Sequence, residues 1–157
     1  MAQTLGQITA LGGGNVVQVC ILASATATNS APAQTTDGVS VDALRAAFGG
    51  TMPDIVKLIV KSTAGSATMT ATLRLWELNG TVATDWAPSG TGADATKGVL
   101  NGGAALGETG ANVINHCEPV YGLHQASRIY VEITAIGGTS TAIEVYLQAE
   151  RTTARAQ

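Results

Sequence analysis

Arg128-Ile129-Tyr130-Val131-Glu132-Ile133-Thr134-Ala135-Ile136 and, beyond Gly137-Gly138-Thr139-Ser140-Thr141, Ala142-Ile143-Glu144-Val145-Tyr146-Leu147-Gln148-Ala149-Glu150 alternate apolar and polar side chains with period two. Successive side chains on an extended chain point to opposite faces, so the pattern specifies two half-buried strands rather than helices. Ile129, Val131, Ile133 and Ala135 form one inward set, and Ile143, Val145, Leu147 and Ala149 form the other. The Gly-rich connection has hairpin length. Pairing Ile136 with Ala142 sets Ile133 opposite Val145, Val131 opposite Leu147 and Arg128 opposite Glu150, a favourable charge pair. The reading predicts a terminal hairpin whose other face carries Tyr130, Glu132, Glu144 and Tyr146.

The same period appears upstream. Thr68–Leu78 places Met69, Ala71, Leu73 and Leu75 on one face, and Asn79-Gly80 is a preferred type I′ turn before a return over Thr81–Trp86. That register sets Leu73 opposite Trp86 and Arg74 opposite Asp85. Trp76 shares the Arg74 face, which therefore needs a covering loop or a partner. Ile55–Lys61 reads as a strand with Val56, Leu58 and Val60 inward, and Val16–Leu22, apolar on both faces except at Gln18, reads as a central one. Val113–Ile114 and Val120–Tyr121 suggest short strands around Cys117. A short helix is expected over Val41–Phe48, started by Ser40 or Asp42 and ended by Gly49.

Ala23–Gly38, Ala87–Thr109 and the tail Arg151–Gln157 read as irregular, and loops of such length usually bind something or lack order. Many short strands between Gly-rich turns predict an all-β chain, an antiparallel β-sandwich or jelly roll with one short helix. At 157 residues it fits one domain, with residues 1–14 as a candidate arm and 151–157 as a flexible tail.

Only 12% of the residues are charged, against about a quarter in ordinary soluble domains. A surface made of hydroxyls, small side chains and backbone amides suits close packing against neighbours better than electrostatic steering or acid–base chemistry. A net charge of −3 without a basic stripe argues against a nucleic-acid partner. No apolar run reaches the ~18 residues of a membrane span, and Met1-Ala2-Gln3-Thr4-Leu5 does not begin a signal peptide. The expected compartment is a cytoplasm, where Cys20 and Cys117 stay reduced more often than bridged.

The motifs that mimic chemistry fail on context. Gly90-Thr91-Gly92-Ala93-Asp94-Ala95 matches a dinucleotide fingerprint but lacks the following helix, and Thr96 stands where a phosphate-binding loop needs Gly before Lys97. His116, Glu118 and His124 match no metal-ligand spacing, and His116 beside Cys117 lacks an orienting third group. Asn79-Gly80-Thr81 is a glycosylation sequon that a turn explains equally well. No catalytic residue, cofactor or metal is expected. Tyr130, Glu132, Glu144 and Tyr146 form either a solvated, loop-covered face or a contact face for protein or sugar.

Trp86-Ala87-Pro88, Gly90-Thr91-Gly92, Lys97-Gly98-Val99-Leu100-Asn101, Glu118-Pro119-Val120-Tyr121-Gly122 and Arg128-Ile129-Tyr130-Val131 resemble stretches of small β-rich virion proteins of tailed bacteriophages. The likeness extends to the closing strands and the Ala/Thr/Gly composition, covers roughly the last two thirds of the chain, and is greatest to capsid decoration (cement) proteins. It implies a homo-oligomer, a trimer among the options, assembled in a host cytoplasm and bound to the major capsid protein outside the head shell. It carries over no catalytic residue. Trp76, Tyr130, Tyr146, Arg151 and Arg155 are the candidate interface residues. A tail or head-fibre component is the first alternative. A carbohydrate-binding module stacking sugars on Trp76, Trp86, Tyr130 or Tyr146 is the alternative from another class.

Overall fold

A computed structural model of the chain describes residues 4–33, 36–62, 68–79, 82–85, 106–109, 114–138 and 142–151. In chain order they form β1 (Ile8–Leu11), β2 (Val16–Ala25), β3 (Val39–Ser40), α1 (Val41–Ala47), β4 (Ile55–Ser62), β5 (Thr68–Asn79), β6 (Val82–Asp85), β7 (Leu106–Thr109), β8 (Ile114–Tyr121), β9 (Arg128–Gly138) and β10 (Ile143–Glu150). The chain is mostly β, as its alternation predicts. One antiparallel sheet runs β1-β2-β10-β4-β8. The other runs β3-β9-β5-β6, with β7 also pairing β5.

One buried cluster draws on both sheets. Val17, Val19 and Ile21 of β2, Val56, Leu58 and Val60 of β4, and Ile143, Val145 and Leu147 of β10 join Leu73 and Leu75 of β5 and Ile129, Val131 and Ile133 of β9. The inward sets read from period two are in that cluster except Met69 and Ala71, whose side chains lie outside the described ones, Ala149, which is partly buried against it, and Ala135, which is exposed beside a register shift. With aromatics at 4% of the chain, branched aliphatics fill this core, each worth about 1.5–3 kcal/mol when fully buried. β2 is apolar on both faces because it lies inside its sheet and is covered on both sides, Cys20 on the far face being fully buried.

The strand partners depart from expectation. β9 and β10 do not pair: β9 joins β5 and β3, whereas β10 joins β2 and β4. The connection after Gly138 therefore links two sheets, and Ile133 and Val145 meet in the shared core instead of side by side in a ladder. Glu150 stands opposite Val16, and Arg128 opposite Ser40 and Leu78. The β5–β6 hairpin does form, but Trp76 pairs with Asp85 and Asn79 with Val82, a slip of two residues from the expected register. That register makes Gly80-Thr81 the connecting pair, which lies outside the described residues.

Three more expectations change. The two short strands around Cys117 are one strand, β8, which accommodates Pro119 because it lies at a sheet edge. Residues 8–11 of the expected arm are β1, paired Ile8 with Val19 through Leu11 with Val16. β2 also extends to Ala25, three residues into a stretch read as irregular, and β7 ends another.

Helix α1 starts where the sequence predicted, the Ser40 hydroxyl accepting the Ala43 amide at 3.1 Å. Val41, Leu44 and Ala47 recur at helical spacing and bury with Phe48 in the core. Just before it, Gly38 adopts φ +73°, and a Cβ there would lie 2.0 Å from the Ile129 carbonyl oxygen. Only glycine lets the chain run this close to β9.

Candidate functional site

The outer face of the β3-β9-β5-β6 sheet brings together two of the predicted interface residues. Trp76 and Tyr130 are directly opposite on β5 and β9, as are Arg74 and Glu132. The Trp76 indole N–H donates to Glu132 Oε2 at 2.7 Å, and the Arg74 guanidinium lies 5.9 Å from the Trp76 ring centroid. The Tyr130 hydroxyl donates to the Ser30 carbonyl at 2.9 Å and accepts from Asn29 Nδ2 at 2.9 Å. Burial, then the nearby Asp37 carboxylate, raises the Tyr130 phenol above its ordinary pKa. Each aromatic polar tip is therefore held by a neighbour on the same chain.

Asn29 was not singled out in the sequence, yet it organises this edge. Its side chain accepts the Ile133 amide and donates to the Val131 carbonyl at 3.0 Å, and its backbone N–H reaches the Ile133 carbonyl at 3.3 Å. Next to it, Arg128 donates to the carbonyls of Asp37 at 2.9 Å and Gly38 at 2.6 Å. The polar stretch after β2 thus finishes the ladder that β3 begins along β9. An Asn within an Ala/Thr/Ser-rich segment carries no local signal for this.

Tyr146 is elsewhere. It sits on the outer face of the other sheet and is 5% exposed, so Tyr130 and Tyr146 share no face; their strands belong to different sheets. Tyr146 packs with Cys20 and Ile59 and donates its hydroxyl to Glu144 Oε2, in a carboxylate only 2% exposed. Burial and that hydrogen bond push the Tyr146 phenol up. Burial, then the Glu144 charge, pushes the Cys20 thiol up to about 11. A thiol so protonated is a poor nucleophile at neutral pH, so this cluster reads as packing. Register puts Cys20, Tyr146, Ile59 and Cys117 on successive strands, which separates the two cysteines by about 14 Å, well beyond disulfide reach. Both are free thiols, Cys117 exposed.

Farther along that face the surface opens. Leu11, Val16 and Glu150 follow one another across β1, β2 and β10, as Ile55 and Tyr121 do across β4 and β8. Ile55 is 62% exposed and Tyr121 48%, among the five large apolar side chains left exposed in the described part, with Leu5, Ile8 and Leu11. Beside them lies a cavity of about 450 Å³ lined by Val16, Pro53, Ile55, Lys57, Gln148 and Glu150, along with Val56 and Ala149. Gln18 Nε2 donates to Gln148 Oε1 at 2.6 Å and borders it. Apolar side chains with a charged and amide rim suit contact with another macromolecule.

The remaining candidates are quickly placed. Arg151 is exposed at the end of β10, its amide donating to the Asn15 carbonyl at 2.7 Å. Arg155, Trp86, the Gly90–Ala95 motif and Lys97 lie outside the described residues, as do the side chains of His116 and Glu118. His124 is exposed on the turn Leu123–Gln125, and its charge opposes the rise that burial causes in the Glu77 carboxyl pKa. Among the described residues no three His, Cys, Asp or Glu side chains gather into a metal-binding group, and no helix is long and apolar enough to cross a membrane. Comparison with protein-family models, with curated proteins and with solved structures finds no match to this chain.

Proposed function

We propose that this chain is a non-enzymatic structural virion protein, a decoration protein built as a jelly-roll sandwich that binds the outside of a tailed-phage head shell and bridges capsomers. The strand orders β2-β10-β4-β8 and β3-β9-β5-β6 support the jelly roll, with β1 added at one edge and β7 paired to β5. Apart from β5, β6 and β7, which stay in one sheet, successive strands from β2 onwards alternate between the two sheets, in keeping with the jelly rolls of viral capsid and lectin domains. The resemblance in composition and in the second half of the chain supports the virion role.

One observation carries the contact surface: among the described residues, the large exposed apolar side chains belong to the β1-β2-β10-β4-β8 sheet and the residues leading into it. The aromatics of the opposite sheet are tied to Glu132, Ser30 and Asn29, and Arg74 lies over the Trp76 ring that a sugar would need. The contact face is therefore Ile55 and Tyr121 with the neighbouring cavity, rather than Trp76 and Tyr130. A modest contact suffices, because the same gain recurs at every copy around a shell.

Copy number in purified particles tests this. Abundance comparable to the major capsid protein is the expected result, with Ile55→Asp weakening shell binding at least about tenfold while stability stays within about 0.5 kcal/mol. A few copies per particle would indicate a tail or fibre part. Absence from particles, with tryptophan fluorescence changing on glycan titration, would establish the carbohydrate-binding alternative.

A further inference from the structure

We propose that the free edge of β1 is a self-association surface, where two copies of this chain pair β1 with β1 about a two-fold axis and extend the first sheet from one copy into the next. A sheet edge offers unpaired N–H and C=O groups, and natural sheets protect it with charge, proline or a covering segment. The other edges carry such protection. β8 holds Pro119, and β9 is closed by β3 and Asn29. The strands on the far side of β5 bring Asp85 and Glu108 in their sequences.

Among the described residues β1 has none of these. Residues 1–14 contain no charged residue and no proline, and Leu5, Ile8 and Leu11 are 51%, 50% and 37% exposed. Among the described residues no strand lies beyond it. The Gln7 carbonyl accepts the Cys20 amide, so antiparallel alternation turns the backbone groups of Ile8 and Ala10 outward. A two-fold contact sets this neutral segment against itself with no like-charge opposition, which favours a second copy over a partner recognised through charge.

The proposal does not rest on shell binding and is tested without shells, on the full chain by light scattering and backbone amide exchange. The expected wild type is a dimer with slowed exchange at Ile8 and Ala10. Ala10→Pro removes an outward amide while sparing the bonds to β2, and an edge strand accepts proline. It should raise the dimer dissociation constant at least about tenfold with unchanged circular dichroism. Ile8→Lys, which places a charge on the edge, should do the same and decides the matter if the proline variant fails to fold. A monomeric wild type overturns the proposal. So does a trimer, which a two-fold contact cannot close, or a dimer that the folded variants leave intact.

Discussion

The two sheets solve the same problem in opposite ways. Both present aromatic and charged side chains on their outer faces: Trp76, Tyr130, Arg74 and Glu132 on one, Tyr146, Glu144, Lys57 and Tyr121 on the other. On the β9–β5 sheet the polar groups are used internally, and the stretch through Asn29 and Gly38 runs along the β9 edge. On the β2–β10–β4 sheet, one end is buried around Tyr146, while the other is open and apolar at Ile55 and Tyr121. Aromatic content therefore does not identify a binding face. What identifies it is whether the apolar surface is already covered.

The sharpest way to break this contrast is at the sealed edge. Gly38→Ala would drive a Cβ into the Ile129 carbonyl and also impose a left-handed φ on an L-residue. The expected loss is on the order of 3 kcal/mol or more in urea unfolding. Gly50 also has positive φ but open space around it, so Gly50→Ala is the control and should lose about 1–2 kcal/mol. Equal losses would mean that the segment before α1 does not press on β9. A step smaller, Asn29→Ala leaves the Ile133 amide and the Val131 carbonyl without their side-chain partner, at about 1–3 kcal/mol. Gln18→Ala on the other sheet removes a single part-buried amide bond, at no more than about 1 kcal/mol. Reversed magnitudes for these two variants would erase the distinction between a sealed and an open face.

What the sequence could tell follows from what period two encodes. It encodes which residues face inward, so Val56, Leu58 and Val60, or Ile129, Val131 and Ile133, were legible, as was the Ser40 start of the helix. It does not encode neighbours. Arg128 against Glu150 looked like register information, yet Arg128 serves backbone carbonyls at Asp37 and Gly38, contacts that no local pattern announces. The five residues between Ile136 and Ala142 fit a hairpin and a sheet-to-sheet crossing equally well. The polar and aromatic residues Glu144 and Tyr146 read as an outer face, and only the structure shows them buried on a strand with a partner on each side. The candidate site was half legible for the same reason: Trp76 and Tyr130 were placed on outer faces, but Asn29 and the exposure of Ile55 depend on contacts distant in sequence.

The smallest effect tests the closed end of the β2–β10–β4 sheet against its edge. Cys20 and Cys117 lie in one row across four strands, the first fully buried and the second exposed. A native-state thiol titration at pH 8 should therefore count one reactive cysteine, and two after unfolding. Alkali gives the sign. The Cys20 pKa in the folded chain is about 11 against an ordinary 9.0, so between those values the unfolded chain loses a proton that the folded chain keeps. Stability is then full below pH 9 and declines as pH rises towards 11. Cys20→Ala should lessen that decline between pH 9 and 10, below the ordinary ionisation of the two tyrosines whose phenols burial also pushes up, Tyr130 and Tyr146. Two reactive thiols in the native protein would show that the Tyr146 cluster is open to solvent, and the two ends of this sheet would then no longer differ.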